Sequence, residues 1–205
     1  MSYFPFFVDI QDAPALIVGG GTVALRKVEK LLPYGAALTV IAPEICAELK
    51  ALPVKTEQRR FQAEDIDEHW QLVVAASDDA GTNRLISRLC REQRIPVNVV
   101  DVQEECSFVF PCLIQRGKLS IGISSSGASP TLAIHLKHQI NQLIPDHVEE
   151  LLDFLEAQRK WVRTEIPTEP QRARFYKTML EQCLVLGRTL TQREIAALVS
   201  EQTKE

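Results

Sequence analysis

The stretch from Leu16 to Leu32, "LIVGGGTVALRKVEKLL", constrains the fold more than any other part of the chain. An apolar run enters three consecutive glycines and leaves as an amphipathic segment. A short, continuously apolar, partly β-branched run suits a strand buried on both faces, as in a parallel sheet. After the glycines, Ala24, Val28, Leu31 and Leu32 recur at helical spacing, with Arg26, Lys27 and Lys30 on the other face. "PYG" then breaks the helix, with Gly35 as its C-terminal cap. Gly19, Gly21 and Ala24 fit G-x-G-x-x-A. The first glycine permits a tight turn, the second lets backbone approach a pyrophosphate, and the small Ala24 lets helix and strand pack closely. The helix N-terminus offers the phosphates free N–H groups and the positive end of its dipole. The motif alone is weak; a strand before it and a helix after it supply the context a dinucleotide fingerprint needs. The alternative is a glycine turn that only packs the helix on the sheet.

The following residues repeat the pattern. "AALTVIAP" reads as a second buried strand stopped by Pro43, and "WQLVVAASDD" as another, followed by a helix over roughly 80–94. "IPVNVVD" reads as a further strand ending at Asp101. Strand, helix and strand in alternation predict a Rossmann-like, doubly wound α/β sheet. A ribose-binding acid is expected about 20 residues past the glycines, at the end of the second strand. "IAPE" stands there, so Glu44 or main-chain groups at Pro43 take that role. No arginine is placed to receive a 2′-phosphate, which favours NAD over NADP. Asp101 lies where ligands of open α/β sheets bind and suits a general base; it reads equally as a turn aspartate capping the next segment.

Near Ser107 the texture changes. "FVFPCLIQRGKLSIGISSSG" reads as two strands around the turn "RGK". Ser129 is a good N-cap and Pro130 a good first residue for a helix carrying the apolar stripe Leu132, Leu136, Ile140 and Leu143. Helices over roughly 148–163 and 171–184 follow, and a last one begins at Thr191, where "TQRE" has capping-box spacing. The expected division is a dinucleotide-binding domain over 1–112, a mixed central segment over 113–145 and a small helical domain over 146–205.

Composition removes several classes. A net charge of −4 argues against a general nucleic-acid binder. Five cysteines, odd in number and without C-x-x-C spacing, read as reduced thiols in a cytoplasm, with Cys106 and Cys112 as small buried hydrophobes. No apolar run is long enough to span a bilayer, the N-terminus has no basic signal-peptide region, and no metal-site pattern occurs. His69 and His147 read as surface histidines, as do His135 and His138 despite their one-turn spacing.

"YFPFFVDI", "LIVGGGTVALRK", "VVAASDD", "NVVD", "SFVFPCLIQRGKLSIGISSSGASPTLA" and "LIP" occur in that order. With them the chain resembles the precorrin-2 dehydrogenase/sirohydrochlorin ferrochelatase family of siroheme biosynthesis, over residues 3 to about 145 and more loosely beyond. The resemblance implies a homodimer built through the central segment and NAD-dependent oxidation of precorrin-2 to sirohydrochlorin. It leaves open whether the same site inserts Fe2+ as a second substrate. It makes Asp101 the catalytic aspartate, and Thr22, Val23, Pro43 and Glu44 cofactor contacts beside Gly19 and Gly21. Ser125 falls in the matching serine loop. A tetrapyrrole with many carboxylates needs cationic or N–H-rich partners, for which Arg116 and Lys118 stand out among Arg116, Lys118, His135, Lys137 and His138; each reads equally as part of a solvated face. Two other readings stay open: a non-catalytic NAD-binding redox regulator, and an NAD dehydrogenase of a different substrate.

Overall fold

The computed structural model describes residues 3–202, which form two compact units divided after Phe110. In the first, β1 (Pro14–Val18), β2 (Ala37–Ala42), β3 (Lys55–Gln58), β4 (Leu72–Ala75) and β5 (Val97–Val99) make one all-parallel sheet in the order β3-β2-β1-β4-β5. Helix α1 (Thr22–Leu31) joins β1 to β2, the short α2 (Ala47–Ala51) joins β2 to β3, and α3 (Ala80–Glu92) joins β4 to β5. The order reverses between β1 and β4, the switch point at which such sheets take ligands.

Strand residues alternate between faces, and both faces are covered, so the strands are apolar without interruption. Ala15, Ile17, Leu38, Val40 and Val74 pack with Ala24, Val28 and Leu31 of α1 and Leu49 of α2. Leu16, Val18, Val73, Ala75, Val97 and Val99 pack on the other side with Ile86 and Cys90 of α3. Ala24 is fully buried, as close packing of α1 on β1 requires. Three expectations are corrected. Helix α1 ends at Leu31, and Leu32 opens a separate 3-10 turn that Gly35 caps in the left-handed region (φ 76°). β3 and α2 were not expected, because β3 is polar and mostly exposed and α2 has only five residues. β5 stops at Val99, two residues before Asp101.

In the second unit, β6 (Cys112–Arg116) and β7 (Leu119–Ile123) form an antiparallel hairpin, followed by α4 (Pro130–Leu143). Ser129 caps α4 by accepting from the Leu132 N–H. The helices α5 (Val148–Glu165), α6 (Glu169–Leu186) and α7 (Gln192–Gln202) enclose a small core of Leu151, Val162, Phe175, Met179, Cys183 and Ile195. The capping box at Thr191 forms, with the Thr191 N–H donating to Glu194 at 2.7 Å. Cys112 and His147 depart from expectation. Cys112 is half-buried. His147 is half-buried at the start of α5, with a buried Nε2 that finds no partner among the described residues.

Candidate functional site

Register brings Val18, Ile41, Ala75 and Val99 to one edge of the first unit's sheet. Just beyond that edge stand Gly19–Thr22, Pro43–Glu44, Ala76–Asp79 and Val100–Val102. Backbone bonds extend the ladder into these loops: Gly19 N–H to Ile41 O (2.9 Å), Ala76 N–H to Val18 O (2.8 Å) and Val100 N–H to Ala75 O (3.0 Å). The glycine turn and Asp101 therefore share the carboxyl edge, on β1 and β5 with β4 between them. Neighbouring strands lie about 4.8 Å apart, so the two features are separated by roughly 10 Å across the sheet.

The three glycines have different reasons to be glycine. Gly19 has φ 134°, and a Cβ there would fall on the Ala76 carbonyl. A Cβ on Gly20 would fall on the Glu44 carbonyl, and the Cys46 N–H donates to Gly20 O at 2.9 Å. Both are demanded by the fold itself. Gly21 is the extended N-cap of α1, and a Cβ there would meet nothing within 4 Å. No side chain caps α1. Open space in front of an uncapped helix N-terminus suits a pyrophosphate. The motif assigned no role to Gly20; its constraint comes from the loop after β2, which is distant in sequence. Thr22, Val23, Pro43 and Glu44 are all exposed around this opening.

Two loops frame the rest of the edge. After β4, buried Asn83 fixes Ser77, accepting from its hydroxyl at 2.8 Å and donating to its carbonyl at 2.9 Å. Asp79 caps α3, accepting from the Gly81 and Thr82 N–H groups and from the Thr82 hydroxyl. Thr82's hydroxyl, then the Thr82 and Gly81 amides, hold the Asp79 carboxyl below the usual range. After β5, Asp101 is exposed in a turn with φ 62°, a region aspartate tolerates better than most residues. A cavity of about 400 Å3, lined by Asp78, Asn83, Arg84, Val100, Val102 and Glu105, adjoins this turn. Lys27 is not on a solvated face as its spacing suggested: it is half-buried, with Nζ 4.3 Å from the centre of the Phe110 ring. Burial and then Lys30 lower its pKa, while Cys106 and Asp101 act in the opposite sense.

Arg59 follows the Ala42–Gln58 pair, close in register to Pro43. Its guanidinium is paired with Glu57 (2.7 Å) and Asp65 (2.6 Å).

The central residues singled out from sequence do not converge. Arg116 and Lys118 stand at the turn of the hairpin, and Ser125 lies beyond its open end, where Cys112 pairs with Ile123. Five residues of strand separate the two ends by about 15 Å. Lys118 is exposed and engaged by Asp153 (2.7 Å) and Glu156. Arg116 donates to Asn141 at 3.4 Å, and Ser125 Oγ accepts from the Ser129 N–H at 3.0 Å. His69, His135 and His138 are exposed, as expected.

This arrangement defines a dinucleotide-binding α/β protein with a carboxylate on the ligand edge. The chain belongs to the family described as "Putative NAD(P)-binding", whose model matches residues 6–112. A second model, "Sirohaem biosynthesis protein central", matches residues 116–143. A siroheme synthase of Thioalkalivibrio sulfidiphilus is 41% identical, over 88% of this chain and 38% of that one. A siroheme synthase of Neisseria meningitidis serogroup B is 36% identical, over 100% of this chain and 44% of that one. The chain thus spans about two fifths of the length of these curated relatives. A solved structure named "SirC, precorrin-2 dehydrogenase" superposes with a TM-score of 0.76 at 22% identity, covering 99% of this chain and 100% of that one. It shows the same fold. The resemblance read from the sequence motifs is borne out. No helix among the described residues is long and apolar enough to cross a membrane.

Proposed function

We propose that the protein oxidises precorrin-2 to sirohydrochlorin, with NAD as hydride acceptor. The observation that carries the reading is the shared carboxyl edge, with the open Gly21 position after β1 and the Asp101 turn after β5. The residues present fit the cofactor. Gly21 leaves the space a pyrophosphate fills, the first amides of α1 face it, and Pro43 and Glu44 border the ribose side. NAD is favoured over NADP because the arginine nearest in register, Arg59, is already matched by two carboxylates. When bound, NAD supplies the two-electron acceptor. The oxidation removes a hydride and a proton from the reduced macrocycle. Asp101, as carboxylate, takes the proton from the carbon adjacent to the site of hydride loss. Half-buried Lys27 lies near enough to interact electrostatically with that carboxylate.

Ser125 and Arg116 are the candidates for contacts with the substrate's carboxylates. They stand at opposite ends of the hairpin, so in this reading they meet different carboxylates of the macrocycle. Lys118 is left out, since its charge is already met. The working division keeps 113–145 as a central segment that pairs two copies of the chain. Support comes from α4, where Leu132 (51% exposed), Leu136 (36%) and Leu143 (81%) form an uncovered stripe and only Ala133 is buried. Five unpaired cysteines suit a reducing cytoplasm.

Anaerobic incubation with precorrin-2 and either NAD or NADP, followed by sirohydrochlorin absorbance, tests the reading. NAD-dependent formation is expected, faster than with NADP. No turnover with either removes the reading and brings forward the non-catalytic regulator.

A further inference from the structure

The turn that carries Asp101 is closed by a buried thiol. Cys106 Sγ accepts from the Val99 N–H at 3.2 Å and from Asn98 Nδ2 at 3.5 Å. Its S–H reaches the Val99 carbonyl at 3.2 Å and the Val102 carbonyl at 3.4 Å. One sulfur thus ties the last residue of β5 to the residue just after Asp101. Direct backbone closure is weak here, with the Val102 N–H 3.4 Å from Val99 O. The far side of the turn is anchored to α3, because Ser87 Oγ donates to Glu105 O (3.0 Å) and Arg91 to Glu104 O (2.6 Å). Asp101 sits between these anchors in a left-handed conformation that needs support from its surroundings. Burial pushes the Cys106 thiol up, so it stays protonated and keeps its single donor.

We infer that Cys106 is a positioning residue: its sulfur holds the Val99–Val102 turn so that the Asp101 carboxylate meets the substrate in reacting geometry. The inference rests on the proposed precorrin-2 oxidation for its catalytic half and on geometry alone for its mechanical half. The sulfur closes the turn on the side away from the α3 anchors, and displacement of a reacting carboxylate by about 1 Å can cost on the order of a hundredfold in rate. Burial of a small apolar side chain would explain cysteine equally at first sight. That account gives the sulfur no preference for polar neighbours, yet four polar groups lie within reach of it.

The test compares Cys106→Ser, Cys106→Ala and Cys106→Val in the full chain. Two readouts are needed: steady-state turnover of precorrin-2 with NAD, and amide hydrogen exchange of the peptide spanning 99–106. Serine keeps a donor and an acceptor, alanine keeps neither, and valine fills the volume without them. The expected result is faster exchange and roughly tenfold or greater loss of kcat in the alanine and valine variants. KM for NAD should hold in all three, and serine should restore most of both readouts. A packing role predicts the reverse order, with valine or alanine nearest wild type and serine worst. That order, or a loosened turn with unchanged kcat, overturns the inference. If alanine does not fold, serine against valine decides alone. Wild type without NAD-dependent turnover would sink the functional reading and with it the catalytic half, and the exchange data would still decide the mechanical half.

Discussion

Gly21→Asp should separate cofactor binding from stability, because the two respond in opposite directions. A side chain at Gly21 meets no protein atom within 4 Å, so the fold has no steric objection to it. The backbone there is extended (φ −91°, ψ −169°), which any residue adopts, and it is the N-cap of α1. Aspartate is among the best N-cap residues and outranks glycine by a few tenths of a kcal/mol. The melting temperature should therefore stay level or rise by about 1 °C. The cofactor sees the same carboxylate as a like charge. At about 5 Å from one pyrophosphate charge, repulsion is about 0.8 kcal/mol at the dielectric of water and about 3.3 kcal/mol at an effective value of 20. Those figures bracket a loss of affinity between roughly fourfold and roughly 250-fold. Calorimetric titration with NAD, beside thermal unfolding followed by circular dichroism, measures both. Wild-type affinity in the variant would show that the space before α1 does not hold the pyrophosphate. A melting temperature several degrees lower would show that the space is not open.

Gly20→Ala should behave differently, since its Cβ falls on the Glu44 carbonyl and backbone must move; a loss of about 1–3 kcal/mol in denaturant unfolding is expected, and wild-type stability would refute the packing argument. Asp79→Ala should lower the melting temperature at neutral pH. The folded-state pKa of Asp79 lies below its unfolded value, so its contribution is complete above the ordinary carboxylate range, about 4, and fades as pH falls through the folded value. The gap between variant and wild type should therefore close in acid; a gap constant with pH would contradict the cap. Leu132→Asp combined with Leu136→Asp should yield monomers in sedimentation velocity with helix content intact, and unchanged association would exclude α4 as the pairing surface.

The parts of the fold legible in the sequence are those where burial on both faces leaves only apolar residues. β1, β2, β4 and β5 announce themselves that way, and Ser129-Pro130 marks the start of α4 through local cap chemistry. β3, "KTEQ", carries no such mark because an exposed edge strand needs no apolar face. Asp101 is identifiable by its place after an apolar run, but its turn is not. The turn is closed by Cys106, which is later in sequence and reads as a plain hydrophobe. Lys27 has helical spacing that points it to solvent; Phe110, more than 80 residues on, covers it. Gly20 is constrained by a loop that comes later in the chain. Apolar periodicity found the stripe on α4 without revealing that this unit leaves it uncovered. Each of these features is set by tertiary neighbours that local pattern does not encode.

The most direct test of the account is anaerobic turnover of precorrin-2 by wild type and Asp101→Asn at matched NAD saturation, with NAD affinity measured on the same samples. The account predicts NAD-dependent sirohydrochlorin formation by wild type. It predicts a loss of at least about a hundredfold in kcat for the asparagine variant, with NAD affinity unchanged. Full turnover by Asp101→Asn would contradict it, leaving the glycine edge as a cofactor site and the base elsewhere.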